Sequence, residues 1–245
     1  MESENRKYND LFDAEIEWPS RLCIVASGSS VNGNLDKIPA DCKLLALNSA
    51  VLLPLRFDYW LVADPDAVDK GSGQGRPEYP RLRIFSRACV DRGYYADLVF
   101  SQEPDGWDAL IPRVLRSGAT VLGQAFQLCA HFGMDACVIG ADMGDRYFDG
   151  SATHGKFQSV YLDRLQAWLR LLQEMGRSVE FLTPSPLGSF INHEGTKGEG
   201  EGRREKAEAG ERQEAKAENP DSAPSCLRGE NPGGDSAPPL RRNDG

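Results

Sequence analysis

Residues 21–26 read Arg-Leu-Cys-Ile-Val-Ala and run directly into Ser27-Gly28-Ser29-Ser30. A short, near-continuous apolar run closed by small residues is the pattern of a buried strand entering a tight loop. The arrangement repeats downstream: Lys43–Leu47 (KLLAL) ends at Asn48, and Tyr59–Ala63 (YWLVA) ends at Asp64-Pro65-Asp66. Leu82–Phe85, Leu98–Phe100, Ala136–Ile139 and Val179–Leu182 are further strand candidates. Two stretches have helical periodicity instead. Val121, Leu122, Ala125, Phe126, Leu128, Cys129 and Phe132 form a wide apolar stripe closed by Gly133. Tyr161, Leu165, Trp168, Leu169 and Leu172 form a second stripe, closed by Gly176; spacing of this kind buries one helix face. Apolar strands alternating with amphipathic helices predict an α/β fold: a Rossmann-like, doubly wound, mostly parallel sheet with helices on both faces. Ligands of such sheets bind beyond the carboxyl ends of the strands, where the small and polar residues of this chain fall.

Composition divides the chain. Its 245 residues carry 28 Lys plus Arg against 37 Asp plus Glu, a formal charge of −9. Residues 196–245 contain nine hydrophobic residues, six of them Ala, and no aromatic one; such a stretch cannot build a core. The expected organisation is an N-terminal extension at 1–20, one domain at 21–194 and a disordered low-complexity tail at 195–245. Most of the negative charge lies on the body, which argues against broad nucleic-acid binding. No apolar run approaches the roughly 18 residues of a membrane span, and Met1–Asp13 shows no secretory h-region. A cytoplasmic protein is expected. Cys23, Cys42, Cys89, Cys129, Cys137 and Cys226 form no C-x-x-C pair and read as small core residues rather than a zinc site or disulfide framework.

Several motifs carry candidate chemistry. Ser27–Ser30 could cradle an anion with backbone amides and hydroxyls, although an ordinary strand-to-helix turn has the same composition. It lacks the G-x-G-x-x-G spacing, and the second strand ends in Asn48 where a dinucleotide enzyme places a ribose-binding acid. Asp64 and Asp66 could share a divalent cation with phosphate oxygens; Asp-Pro-Asp is equally good turn chemistry. His154, in the polar loop 149–155, could take a proton from a hydroxyl near neutral pH. His131 reads as a helix packing residue. Tyr147 and Asp149 share the loop of His154, preceded by Asp142 and Asp145; acids before a helix also serve as simple capping.

Taken together, the pieces resemble a known superfamily. They are a small-residue loop after the first strand, Asn48 after the second and Asp64 after the third, then Ser117-Gly118 before a helix. Gly140-Ala141-Asp142, the loop His154, and Pro184-Ser185-Pro186-Leu187 followed by Phe190-Ile191 complete the set. The set is similar to the bacterial sialyltransferases of glycosyltransferase family 42, to 6-hydroxymethylpterin diphosphokinase-like proteins and to motility accessory factor glycosyltransferases. Small prophage-encoded proteins of unknown activity share the layout. The resemblance covers roughly residues 21–191. It implies a nucleotide held by Ser27, Gly28, Ser29, Ser30 and Asn48, with Asp64 and Asp142 alongside, and Ser117 and Gly118 near the donor phosphate or sugar. It makes His154 the general base and Tyr147 the group that stabilises the departing phosphate. Ala26 and Ser29 stand where the family loop has Gly and Pro, and Met143-Gly144 where a second Tyr is expected.

The function this implies is sugar transfer from a nucleotide-activated donor, such as a CMP-sugar, to a hydroxyl acceptor, with no metal required. One alternative is a diphosphokinase that holds Mg with Asp64 and Asp66. Another is a nucleotide-binding protein without catalysis.

Overall fold

The structure is a computed structural model that describes residues 8–72, 80–102, 110–116, 120–144, 146–151 and 158–188. All of these fall in one compact unit, Met1–Gly202. Ser117, Gly118, His154 and the chain beyond residue 188 lie outside the described residues.

Eight strands form a single parallel sheet: β1 (Asn9–Asp10), β2 (Arg21–Val25), β3 (Lys43–Leu47), β4 (Tyr59–Val62), β5 (Leu82–Ser86), β6 (Leu98–Phe100), β7 (Asp135–Ile139) and β8 (Val179–Phe181). Their order across the sheet is β1-β6-β5-β4-β3-β2-β7-β8, and every pairing is parallel. The α/β, Rossmann-like fold expected from the sequence is thus the fold of the body. From β2 the chain winds outward through β3, β4, β5 and β6, then returns to lay β7 on the other side of β2. The reversal opens a crevice between β2 and β7.

The continuous apolar strands are explained by burial on both faces. Leu22 and Ile24 of β2 enter one core cluster while Cys23 and Val25 enter the other. Leu45 and Leu47 oppose Ala46 in β3, and Tyr59 and Leu61 oppose Trp60 and Val62 in β4. Two helices, α3 (Val121–Phe132) and α4 (Gln158–Glu174), cover the first face with Phe126, Leu128, Leu165, Trp168 and Leu169. The other face is covered by α1 (Pro65–Ser72), α2 (Arg87–Asp91) and the 3-10 turn Asn48–Leu52, through Val68, Cys89, Val90, Ala50 and Val51. Burying each large aliphatic or aromatic side chain contributes about 1.5–3 kcal/mol. Gly133, at φ 65°, ends α3 in the left-handed conformation favoured by glycine. No described helix is long and apolar enough to cross a membrane.

Two differences from the sequence expectation are physical in origin. The β2–β3 connection is made of two 3-10 turns, Ser29–Val31 and Leu35–Lys37, rather than an amphipathic helix. Asn32-Gly33-Asn34 and Pro39 interrupt any longer helix there. In addition, the sheet begins before Arg21: Asn9 and Asp10 pair with Leu98 and Val99, and Leu11 is fully buried. Trp18 stacks on Tyr59 and Phe132 with centroids at 5.3 and 4.7 Å. A two-residue strand has no periodicity to read.

Cys23, Cys89, Cys129 and Cys137 are buried free thiols, and Cys42 is partly buried. Burial, helped by the neighbouring Cys137, pushes the Cys42 thiol up to about 11. That makes it a weak nucleophile.

His131 packs edge-on to Phe12 at 4.9 Å, and its Nε2–H donates to the Val114 carbonyl at 3.0 Å. Burial lowers its pKa, against an opposing effect of the Val114 bond. The unfolded chain therefore binds this proton more readily, so stability present above about pH 6.5 falls as acidification carries the pH toward the lower folded-state value. His131→Gln, which keeps an N–H donor but does not titrate, should flatten the loss of stability between about pH 7 and pH 5, read from urea midpoints at each pH. An unchanged slope would assign the loss to other groups.

Candidate functional site

The carboxyl ends of β2, β3 and β7 and the N-terminus of α3 meet around a cleft of about 350 Å³. Ala26, Ser27 and Gly28 follow β2, while Leu47 and Asn48 end and follow β3. Gly140, Ala141, Asp142, Met143 and Gly144 follow β7, and Thr120, Val121 and Leu122 open α3. Arg146, Tyr147 and Tyr161 complete the lining. This is the switch point of the sheet, the usual location of a ligand site in open α/β folds.

The β2 and β7 loops are held against each other by hydrogen bonds that leave no space for side chains. Gly28 N–H donates to the Gly140 carbonyl at 2.8 Å, and Ala26 N–H to the Ile139 carbonyl at 2.9 Å. A Cβ on Gly28 would lie 1.6 Å from Asp142 Oδ1 and 2.4 Å from the Gly140 carbonyl oxygen. Gly140 has φ 77°, and a Cβ there would meet the Ala26 carbonyl oxygen at 2.6 Å. Thr183 Oγ1 accepts the Gly140 amide at 3.1 Å, and the Ser185 hydroxyl donates to the Ala141 carbonyl at 2.6 Å. The Pro-Ser-Pro segment after β8 therefore braces the β7 loop.

Tyr147 is positioned by the backbone of the first loop. It forms an antiparallel bridge with Gly28, and the following Phe148 N–H donates to the Ser27 carbonyl at 2.9 Å. Asn32 Nδ2 donates to the Phe148 carbonyl at 2.8 Å. Just beyond, hydrogen bonds from the Ser151 hydroxyl and amide lower the pKa of Asp149. Its carboxylate thus organises the loop and lies outside the cleft lining.

Asn48 occupies the left-handed region at φ 47°, a conformation that Asn tolerates better than most residues. Its carbonyl accepts the Trp60 indole N–H at 2.8 Å, whereas its side-chain Oδ1 is buried without a hydrogen-bond partner. Thr120 Oγ1 and Asp142 Oδ1 are also buried and unpaired. Three unsatisfied polar atoms around one cleft are uncommon, because a buried unpaired group costs about 1–3 kcal/mol.

Of the residues singled out in the sequence, the cleft brings together Ser27, Gly28, Asn48, Asp142 and Tyr147. Ser29 and Ser30 lie just behind it, bonded to Asp142. Asp64 and Asp66 are elsewhere. Asp64 caps α1, its Oδ1 accepting the Asp66 amide at 3.0 Å, with Pro65 as the first helical residue. Asp66 pairs with Arg92 at 2.9 Å on the surface. The Asp-Pro-Asp motif thus performs turn and capping chemistry, and neither carboxylate lines the cleft.

Sequence reasoning missed Thr120, Met143, Arg146 and Tyr161. Tyr161 was counted in the apolar stripe of α4, since periodicity cannot tell a core position from a cleft wall. Thr120 had a usable signal: a hydroxyl residue directly before a helical stripe. No protein-family model, curated protein or solved structure matches the chain.

Proposed function

We propose that the chain is a nucleotide-dependent transferase of the glycosyltransferase type, with the nucleotide part of an activated sugar bound in the switch-point cleft. The observation that carries this reading is the cleft itself. Its volume, about 350 Å³, suits a nucleoside-sized group, with the attached sugar extending outward. Asn48, Thr120 and Asp142, each with an unpaired buried polar atom, are among its lining residues, and Tyr147 and Tyr161 offer aromatic faces. Arg146 supplies positive charge for phosphate. On the donor side, Tyr147 assists the leaving phosphate. His154 is assigned as base from its place in the sequence. Transfer then relies on positioning and electrostatic stabilisation, with the metal-dependent alternative disfavoured by the engagement of Asp64 and Asp66 at α1.

The test is thermal stabilisation of the full chain by CMP, CDP, UDP, ADP and ATP, each with and without Mg. A ligand at about 100 times its Kd adds roughly 2.7 kcal/mol, a readily measured shift. A base-selective, Mg-independent shift is expected. A shift seen only with ATP and Mg would favour diphosphoryl transfer, and no shift with any nucleotide would remove the proposal.

A further inference from the structure

The loop after β2 has the composition of an anion cradle, and it already holds an anion. Asp142 Oδ2 accepts the Ser30 amide at 2.9 Å and the Ser29 hydroxyl at 3.1 Å. Three further donors of the loop are engaged too. Gly28 N–H bonds to the Gly140 carbonyl, Ser29 N–H to the Arg146 carbonyl at 3.2 Å, and the Ser30 hydroxyl to Thr183 Oγ1 at 3.2 Å. The missing side chain of Gly28 is what lets the carboxylate lie against the loop.

We propose that Asp142 is a specificity-determining residue: its carboxylate fills the cradle, so the inner end of the cleft takes the uncharged nucleoside part of a ligand while the phosphate lies outward toward Arg146. This rests on the nucleotide reading of the cleft. A phosphate at Ser29 and Ser30 would have to displace a tethered carboxylate, or sit beside it as a like charge in a partly dehydrated notch. Sugar hydroxyls and base amino groups meet neither penalty. Two acceptors of the lining residues, Asp142 Oδ1 and Asn48 Oδ1, are unpaired. Among the described residues, the two charged residues of the lining are arranged accordingly: Asp142 is partly buried and Arg146 is exposed.

The experiment follows stabilisation of the full chain by inorganic phosphate, cytidine, CMP, adenosine and AMP. It compares wild type with Asp142→Ala, Asp142→Asn and Arg146→Gln. Inorganic phosphate should leave wild type and Asp142→Asn unshifted, because the Asn carbonyl keeps the cradle donors occupied. Asp142→Ala frees the Ser30 amide and Ser29 hydroxyl and should bind phosphate roughly tenfold or more tightly than wild type, the effect of a charge-assisted hydrogen bond. Equal phosphate binding by wild type and Asp142→Ala would overturn the proposal, as would a folded Asp142→Ala that gains none. If Asp142→Ala does not fold, inorganic phosphate that competes with the uncharged nucleoside on wild type overturns it. Arg146→Gln should weaken the monophosphate and spare the nucleoside; equal weakening of both overturns the stated orientation. Failure of every nucleoside and nucleotide to shift wild type would sink the nucleotide reading alone, and the phosphate arm would still decide what Asp142 does.

Discussion

Trp60→Ala is expected to lose about 3–5 kcal/mol of folding stability, the range for removing a large aromatic from a packed core. Trp60 is 1% exposed in the second core cluster. It packs edge-on to Phe85, with centroids at 5.1 Å, and lies so close to Gly71 that a Cβ there would meet its ring at 2.5 Å. The surrounding β4, β5 and α1 cannot collapse into the vacated volume without breaking sheet pairing. The same residue supports the cleft from behind, because its indole N–H donates to the carbonyl of Asn48, which lines it. Trp60→Phe separates these roles. It keeps most of the apolar contact but leaves that carbonyl without its partner, at a cost of about 1 kcal/mol. Urea unfolding should show the large loss for alanine and the small one for phenylalanine. Trp60→Phe should also lower affinity for the nucleotide that best stabilises wild type. Equal stability losses in the two variants would show that packing is not what Trp60 supplies.

Gly28→Ala should cost about 3 kcal/mol, at the upper end of overpacking effects. Its Cβ would collide with two atoms of different character. Asp142 Oδ1 can swing away, giving up the Ser29 and Ser30 bonds; the Gly140 carbonyl oxygen, 2.4 Å away, is backbone and accepts the Gly28 amide. Relief therefore requires the β2 and β7 loops to separate. Adding Asp142→Ala to Gly28→Ala should recover little stability, because the clash with Gly140 remains. Full recovery in the double variant would place the strain in the Asp142 side chain instead. With the loops forced apart, the cleft between them should widen and bind nucleotide less tightly.

These two residues show how unevenly the site was legible. Trp60 stood in an apolar run and was readable as core, but nothing near it in sequence announced a bond to Asn48. Gly28 was readable as a turn glycine. The demand that it be glycine comes chiefly from the Gly140 carbonyl, with Asp142 beside it, both more than a hundred residues away in the chain. Asp64 and Asp66 erred in the other direction: the motif suits a metal as well as it suits a helix cap, and only the position of Arg92 and the start of α1 separate the two.

Sequence alone determined the strands from Arg21 onward, the long helices α3 and α4, and the parallel, doubly covered sheet. Those properties are written in consecutive residues as periods of 2 and 3.6 and as runs apolar on both faces. Tertiary structure alone decided that β7 returns beside β2, that Tyr147 is bridged to Gly28, and that Asp142 occupies the loop once read as an anion cradle. Each of these joins segments far apart in the chain, where pairing depends on which surfaces bury one another and no local pattern records the outcome.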